Sequence, residues 1–159
     1  LSLFYYLCSS YLQINTTEMT IAIDFDGTIV EHRYPEIGKE IPFAVTTLKK
    51  LIEEKHKLIL WTVREGKLLD EAVEWCRQRG IEFYAINKDY PEEEKEHNKH
   101  YSRKLKADLF IDDRNIGGLP DWGTIYRIIH EKKTYEDILS EIYHEESAPV
   151  KPKRKRWWF

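Results

Sequence analysis

Short apolar runs alternate along the chain with segments of helical periodicity, and this alternation restricts the fold more than any other feature. Four runs have the length and apolar content of buried strands. They lie at 20–25, 57–62, 81–86 and 107–111. Apolar residues recur at helical spacing in four other segments, at 44–56, 65–79, 122–131 and 134–145. Because repeated β-α-β units fold as a parallel sheet covered by helices, we expect a three-layer, Rossmann-like α/β domain with helices on both faces of the sheet.

Composition limits the class of protein further. A chain of 159 residues can bury one adequate core, so we expect a single compact domain. Charged residues make up 33% of the chain and no run of 18 apolar residues occurs, which excludes a membrane-spanning protein. Of the two cysteines, Cys8 and Cys76, the second follows apolar residues at helical core spacing. We interpret it as a reduced, packed thiol, which favours a cytoplasmic location.

The two ends of the chain differ from its body. Residues 151–159 contain five of the 25 basic groups and no acid, whereas residues 19–150 carry 27 acidic against 20 basic groups. Nucleic-acid binding is therefore expected only through the basic, aromatic tail at 148–159, which is otherwise predicted to be disordered. Because Met19 is the only methionine, we expect residues 1–18 to be a disordered or mis-annotated extension. A short anchor to a membrane or a partner is the alternative for that segment.

Acidic side chains follow two of the predicted strands at the point where each ends. Asp24 and Asp26 come at the end of the first strand, and Asp112 and Asp113 directly follow the fourth. In parallel sheets of this class, ligands bind at the carboxyl ends of the strands. Four carboxylates gathered there would repel one another without a cation, and oxygen ligands of this kind suit Mg²⁺. The sequence therefore predicts a magnesium site formed by these four residues.

The same strand ends carry groups that suit a phosphate. Two nearby carboxylates in different surroundings can divide the chemistry, one as a nucleophile and the other as an acid and then a base. Gly27 permits the chain to leave the strand sharply. Thr62 would supply a hydroxyl donor and Lys104 a positive charge for phosphate oxygens. This set of residues indicates phosphoryl transfer.

These residues resemble the four motifs of the haloacid dehalogenase (HAD) superfamily, and specifically of its phosphatases. Asp-Phe-Asp-Gly-Thr at 24–28 matches motif I, and Thr62 after Leu-Ile-Leu-Trp matches motif II. Lys104 matches motif III, and Asp112-Asp113 matches motif IV. The resemblance covers residues 19–130, and stretches such as LWTVREG and KLKADLFIDDRNIGG are similar to a group of small bacterial HAD phosphatases known only from prediction. It implies a HAD-like domain over residues 19–147.

The resemblance also implies a mechanism. Asp24 would attack phosphorus and form an aspartyl-phosphate, and Asp26 would protonate the leaving oxygen and later activate water. Mg²⁺ would be held by Asp24, the backbone carbonyl of Asp26 and Asp112. Asp113 would coordinate the ion or support the other ligands, and Lys104 would offset charge on the transferring group. The function this implies is Mg²⁺-dependent hydrolysis of a phosphate monoester.

The substrate and some neighbouring residues are left open at this point. The leaving group fits a nucleotide or polynucleotide end, a sugar phosphate or a phosphoprotein. Five residues near the motifs are candidate substrate contacts, with surface ion pairing as the alternative for the arginines: Thr28, His32, Arg33, Arg64 and Arg114. His97 and His100 have no third soft ligand and are interpreted as solvated loop histidines. A receiver-type phospho-acceptor domain is disfavoured because its acidic pair lies on the first strand, whereas Asp112 and Asp113 come last here, and because Asp26 has no counterpart in it. A non-catalytic binding module is disfavoured because the set of motif residues is intact.

The intervals between the motifs leave no room for a cap. HAD enzymes that act on small metabolites commonly carry an inserted domain that closes over the site. Neither Asp24 to Thr62 nor Thr62 to Lys104 is long enough for a folded insertion of about 60 residues. We therefore expect a capless, open site, covered by a large substrate or by a second subunit. We favour a homo-oligomer that uses aromatic residues of the C-terminal helices: Trp122, Tyr126, Tyr135 and Tyr143.

Overall fold

Four parallel strands form the centre of the protein in a computed structural model that describes residues 18–93 and 103–147. The strands are β1 (Thr20–Ile23), β2 (Lys57–Leu60), β3 (Ala85–Ile86) and β4 (Leu109–Ile111), in the order β3-β2-β1-β4. Four helices accompany them: α1 (Ala44–Glu53), α2 (Gly66–Arg77), α3 (Trp122–Glu131) and α4 (Tyr135–Ser147). The predicted α/β class with a parallel sheet is confirmed. The expectations for Cys8, His97, His100, the N-terminal extension before residue 18 and the C-terminal tail lie outside the described residues.

The register of the sheet brings all four strand ends to one edge. Ile23 at the end of β1 pairs with Leu60 of β2 and with Ile111 of β4. Leu60 in turn pairs with Ile86 of β3. The residues that directly follow the four strands therefore emerge side by side at the carboxyl edge, where α/β sheets bind their ligands.

Side chains alternate between the two faces of the sheet, as β-strands require. Ile21 and Ile23 point to the face where the buried residues of α1, α2 and α3 pack, which is the main core. Ala22 and Ile59 point to the other face, where Leu105 covers them. Successive right-handed crossovers that move in one direction place their helices on one face, which explains why α1 and α2 share a side. The helix expected on the second face is not found among the described residues.

Element boundaries differ from the predictions by a few residues. Of the strand predicted at 81–86, only the last two residues form β3. The helix predicted at 44–56 ends at Glu53, two residues before Lys55, which has a left-handed backbone (φ 72°). The third helix has the predicted bounds. A capping box precedes α4, since Asp137 accepts hydrogen bonds from the backbone and hydroxyl of Thr134. Cys76 is buried as predicted, and burial raises the pKa of its thiol to about 12.

Two further expectations concern the surface and the connections. Only α1 and a loop connect β1 to β2, so that interval contains no inserted domain. Among the described helices, none is both long and apolar enough to cross a bilayer. The expectation that Trp122 offers aromatic surface for an interface is wrong: its side chain is 1% exposed. It lies on the inner stripe of α3 and packs in the core, a face that residue type alone does not reveal.

Candidate functional site

Three carboxylates from two neighbouring strand ends form an acidic cluster. Asp24 follows β1, and Asp112 and Asp113 follow β4; one oxygen from each lies within 4.8 Å of the others. Asp113 Oδ1 is buried and has no hydrogen-bond partner among the described residues. A buried, unpartnered carboxylate oxygen is costly unless something positive binds it. The three residues therefore form a donor set of hard oxygen ligands that could hold a metal ion.

Electrostatics at Asp24 are consistent with a missing positive charge. Burial raises the pKa of Asp24 to about 7 from its ordinary value of 3.8. A backbone hydrogen bond from Phe25 opposes the shift, and repulsion from Asp112, Asp113 and Asp26 adds to it. A bound cation would remove that repulsion and favour the ionised form.

Thr28 connects the two halves of the acidic cluster. Its hydroxyl donates to Asp24 Oδ2 at 3.4 Å and accepts from the backbone N–H of Asp113 at 3.0 Å. The residue is fully buried, so the expectation that it contacts substrate is wrong. It holds the two strand ends at a common spacing instead. Trp122 supports the same loop, because its indole Nε1–H donates to the backbone oxygen of Thr28 at 3.1 Å.

Gly27 is required at its position by both backbone and space. Its φ is +95°, a value that side chains other than hydrogen rarely adopt. A Cβ built there would lie 2.4 Å from Asp113 Oδ2. The turn after β1 can therefore bring its backbone against the acidic cluster only because this residue has no side chain.

The carboxylate of Asp26 does not belong to the acidic cluster, in contrast to the expectation that all four carboxylates gather around the metal, and the role of its backbone carbonyl as a metal ligand stays a prediction. Both of its oxygens accept hydrogen bonds from Arg64, at 2.6 Å from Nε and 2.7 Å from Nη2. The two residues are 5% and 1% exposed, so this is a buried, bidentate ion pair. Hydrogen bonds to Asp26 raise the pKa of Arg64 above its usual value. Both carboxylate oxygens of Asp26 therefore face Arg64 rather than the acidic cluster.

Arg64 also anchors the loop that follows motif I. Its guanidinium lies between the rings of Phe25 and Tyr34, 5.2 Å and 5.3 Å from their centroids. It donates to the backbone oxygens of Pro35 and Glu36, both at 2.9 Å. The expectation that Arg64 touches substrate is therefore wrong. It is a buried residue that connects Asp26 to the loop at 31–40 through hydrogen bonds. Its position close to Thr62 in the sequence could not reveal which way its side chain points.

An open cleft of about 430 Å³ lies over these strand ends. The described residues that line it are Asp24, Asp26, His32, Tyr34, Trp61, Thr62, Val63, Asp112 and Arg114. His32, Thr62 and Arg114 thus lie where they were predicted to act. Arg33 and Lys104 are not among these lining residues. Arg33 lies 3.9 Å from Glu31, and Lys104 is exposed with its Nζ 5.8 Å from the centroid of the Phe110 ring.

Asn87 is a supporting residue that sequence reasoning missed. It follows β3 in the left-handed conformation (φ 52°), and its side-chain oxygen accepts from the backbone N–H of Thr62 at 2.8 Å. The Thr62 hydroxyl accepts from the backbone N–H of Arg64 at 3.2 Å. The loop after β2 is thereby held from both sides. An asparagine directly after a predicted strand was the available signal, since asparagine tolerates left-handed backbone.

Comparison with solved structures shows a relative of this chain. The structure of a conserved protein from Bacteroides thetaiotaomicron matches it with 74% sequence identity and a TM-score of 0.72, over 77% of this chain and 98% of that one. The chain belongs to the family of that conserved protein. No protein-family model matches the chain, and no curated protein matches it.

The raised pKa of Asp24 predicts how Mg²⁺ stabilises the protein at different pH values. Between about pH 4 and 7 the folded state holds a proton at Asp24 that the unfolded state has lost, so this group's contribution to stability falls as pH rises through that window. Mg²⁺ must displace the proton, so its stabilising effect should be small at pH 5 and grow up to about pH 8. Thermal unfolding with Mg²⁺ and with EDTA across this range measures it. A Tm increase that is equal at pH 5 and pH 8 would contradict the prediction.

Proposed function

We propose that this protein is an Mg²⁺-dependent phosphatase that hydrolyses a phosphate monoester through an aspartyl-phosphate on Asp24. The observation that carries the proposal is the separation of carboxylates within one cleft. Asp24, Asp112 and Asp113 form a cluster in which one buried oxygen has no hydrogen-bond partner within residues 18–93 and 103–147, while Arg64 holds Asp26 apart from it. A metal-assisted nucleophile and an independent acid–base group need this division.

Asp24 is the proposed nucleophile because it is the member of the cluster on β1 and lines the open cleft. Its own backbone N–H donates to the oxygen of Ile111 at 3.0 Å, which ties the end of β1 to the end of β4. Thr28 orients one of its oxygens and leaves the other for phosphorus. Thr62 and Arg114 line the same cleft and are the proposed donors to the phosphate oxygens.

The role of Lys104 in binding phosphate, which its match to motif III implies, stays a prediction. It directly precedes Leu105, which packs on the second face of the sheet and so keeps this segment at the sheet. In the proposed mechanism Lys104 turns toward the phosphate once substrate is bound.

The metal site would consist of Asp24, Asp112 and Asp113, and a few carboxylates that share an ion with a substrate phosphate are typical of Mg²⁺ sites. When bound, the ion supplies charge neutralisation for the incoming phosphate and for Asp24. Thr28 fixes the distance between the β1 and β4 carboxylates, so the chain itself sets the shape of the site.

Asp26 is the proposed acid and base. In the described arrangement both of its oxygens accept from Arg64, which suits the base that removes a proton from water. To deliver a proton to the leaving oxygen, Asp26 must carry one on an oxygen that now accepts from Arg64, so one of the two hydrogen bonds must open. Arg64 is accordingly a positioning residue that keeps Asp26 turned into the cleft.

The proposed homo-oligomer rests on fewer residues than expected. Tyr126 donates to Glu54 at 2.6 Å, whereas Tyr135 and Tyr143 on α3's neighbour α4 are 48% and 68% exposed. These two aromatic residues are the remaining surface for such an interface. A cytoplasmic location also stays a prediction.

Release of inorganic phosphate tests the proposed function. The purified full chain should release phosphate from p-nitrophenyl phosphate in the presence of Mg²⁺, lose at least about 90% of that activity in EDTA, and regain it when excess Mg²⁺ is added. Activity that is unchanged in EDTA would contradict a metal-dependent mechanism. No release from this ester or from a panel of phosphorylated metabolites would contradict the phosphatase proposal itself.

A further inference from the structure

The position of Asp26 indicates where a leaving group would lie, and this step rests on the proposed function. A general acid must come within hydrogen-bond reach of the oxygen it protonates, about 2.6–3.2 Å. The leaving group therefore lies on the Asp26 side of the cleft. Two other residues lie next to Arg64, the partner of Asp26: Val63 directly precedes it in the chain, and the ring of Tyr34 lies over its guanidinium.

Tyr34 presents a firmly held aromatic face on that side. Its ring lies 5.3 Å from the Arg64 guanidinium carbon, and Arg64 holds the next two backbone oxygens along the chain. The residue is nevertheless 50% exposed and lines the cleft. An aromatic ring that is fixed from behind and open in front can accept a second ring at little cost in conformational entropy.

The neighbouring groups are apolar or aromatic rather than charged. Val63 is 76% exposed, and Trp61 and His32 also line the cleft. Arg114 is the one lysine or arginine among the described lining residues. A polynucleotide needs several cationic side chains along its backbone, which this lining does not offer. A sugar phosphate without a base would leave the apolar side chains of Val63 and Trp61 exposed to water.

We propose that the substrate is a small phosphate ester whose leaving group carries a flat aromatic ring, as a nucleoside monophosphate does, and that this ring stacks on Tyr34. The ring would cover the exposed faces of Tyr34 and Val63, and the phosphate would reach Asp24 and Thr62 across the cleft. Stacking between a base and an aromatic side chain is sequence-tolerant, so Tyr34 selects for the presence of a ring rather than for one base.

AMP and ribose 5-phosphate form the decisive pair, because both carry the phosphate on the primary 5-hydroxyl of a ribose and only AMP carries a base at C1. The full chain should hydrolyse AMP with kcat/KM at least about tenfold above that for ribose 5-phosphate. Tyr34→Leu, which keeps an apolar side chain over Arg64, should bring this ratio close to one. Tyr90→Leu is the control and should leave the ratio unchanged, because Tyr90 is 45% exposed, close to the 50% of Tyr34, and is not among the described residues that line the cleft.

Binding provides a second readout that does not depend on turnover. Calorimetry with the Asp24→Asn variant should show AMP binding at least about tenfold more tightly than ribose 5-phosphate, and the double variant with Tyr34→Leu should lose the difference. Equal affinities for the two ligands, or a preference that survives Tyr34→Leu, would overturn the inference. A Tyr34-dependent preference in binding with no hydrolysis of either ester would support the inference while contradicting the proposed phosphatase.

Discussion

Replacement of Asp24 by asparagine should lower kcat by at least about a thousandfold with every phosphate ester that the protein hydrolyses. An amide cannot form the proposed acyl-phosphate, and the side chain keeps its size. The loss should therefore occur without unfolding. Phosphate release at saturating Mg²⁺, with circular dichroism as the check on folding, measures it. More than about 1% of the wild-type kcat would exclude covalent catalysis by this residue.

Asp26→Asn is the matched control, since it makes the same chemical change two residues away. This variant keeps the nucleophile but loses the acid and base, so with p-nitrophenyl phosphate, whose leaving group departs without a proton, rapid acid quenching should trap phosphate on the protein at Asp24. Asp24→Asn should trap none. Because Asp26 lies outside the acidic cluster, its replacement should change Mg²⁺ affinity less than the replacement of Asp112 does. Equal Mg²⁺ affinities for wild type and Asp112→Asn would contradict the assignment of the metal ligands.

Gly27→Ala should produce the second large effect, a loss of at least about tenfold in Mg²⁺ affinity together with reduced stability. The new methyl group would lie 2.4 Å from Asp113 Oδ2, so the carboxylate must move away from Asp24 and Asp112. Holding alanine at positive φ costs about 1–2 kcal/mol in addition. Titration calorimetry with Mg²⁺ and thermal unfolding measure the two effects separately.

Gly117→Ala separates backbone strain from the contact with Asp113. Gly117 has φ +97°, close to the +95° of Gly27, but a Cβ there meets nothing within 4 Å. Gly117→Ala should lose only the stability that positive φ costs, Gly27→Ala should lose more because of its contact with Asp113, and only Gly27→Ala should lose Mg²⁺ affinity. Similar affinities in the two variants would show that the approach of Gly27 to Asp113 does not shape the site.

The strand ends could be predicted from sequence because period and register decide them. Once β1 and β4 are recognised as parallel neighbours, Asp24 and Asp112 must emerge at the same edge, and the structure places them in one cluster. Side-chain direction could not be predicted in the same way. Arg64 lies two residues after Thr62, a position from which we expected it to contact substrate. Its side chain turns inward instead, because it donates hydrogen bonds to Asp26 and to two backbone oxygens.

Support from distant elements was equally hidden from the sequence. Trp122 and Asn87 stabilise the loops after β1 and β2, but nothing in their local sequence says which loop they would meet. Such contacts depend on how α3 and β3 pack in three dimensions. Thr28 was predicted to contact substrate because it lies next to the acidic residues in the sequence. It is buried instead, because burial follows from packing rather than from spacing along the chain.

The seam between β1 and β4 gives the site a second kind of readout. β4 has three residues and, among the described strands, pairs with β1 alone, so it is an edge strand that local opening can release. Repulsion across the seam between Asp24 and Asp112 favours that opening, and a bound cation opposes it. The amide proton of Asp24, which donates to Ile111 across the seam at 3.0 Å, should therefore exchange with solvent more slowly when the site is filled. Isotope exchange at one backbone amide thus reports occupancy of the site before any substrate is known.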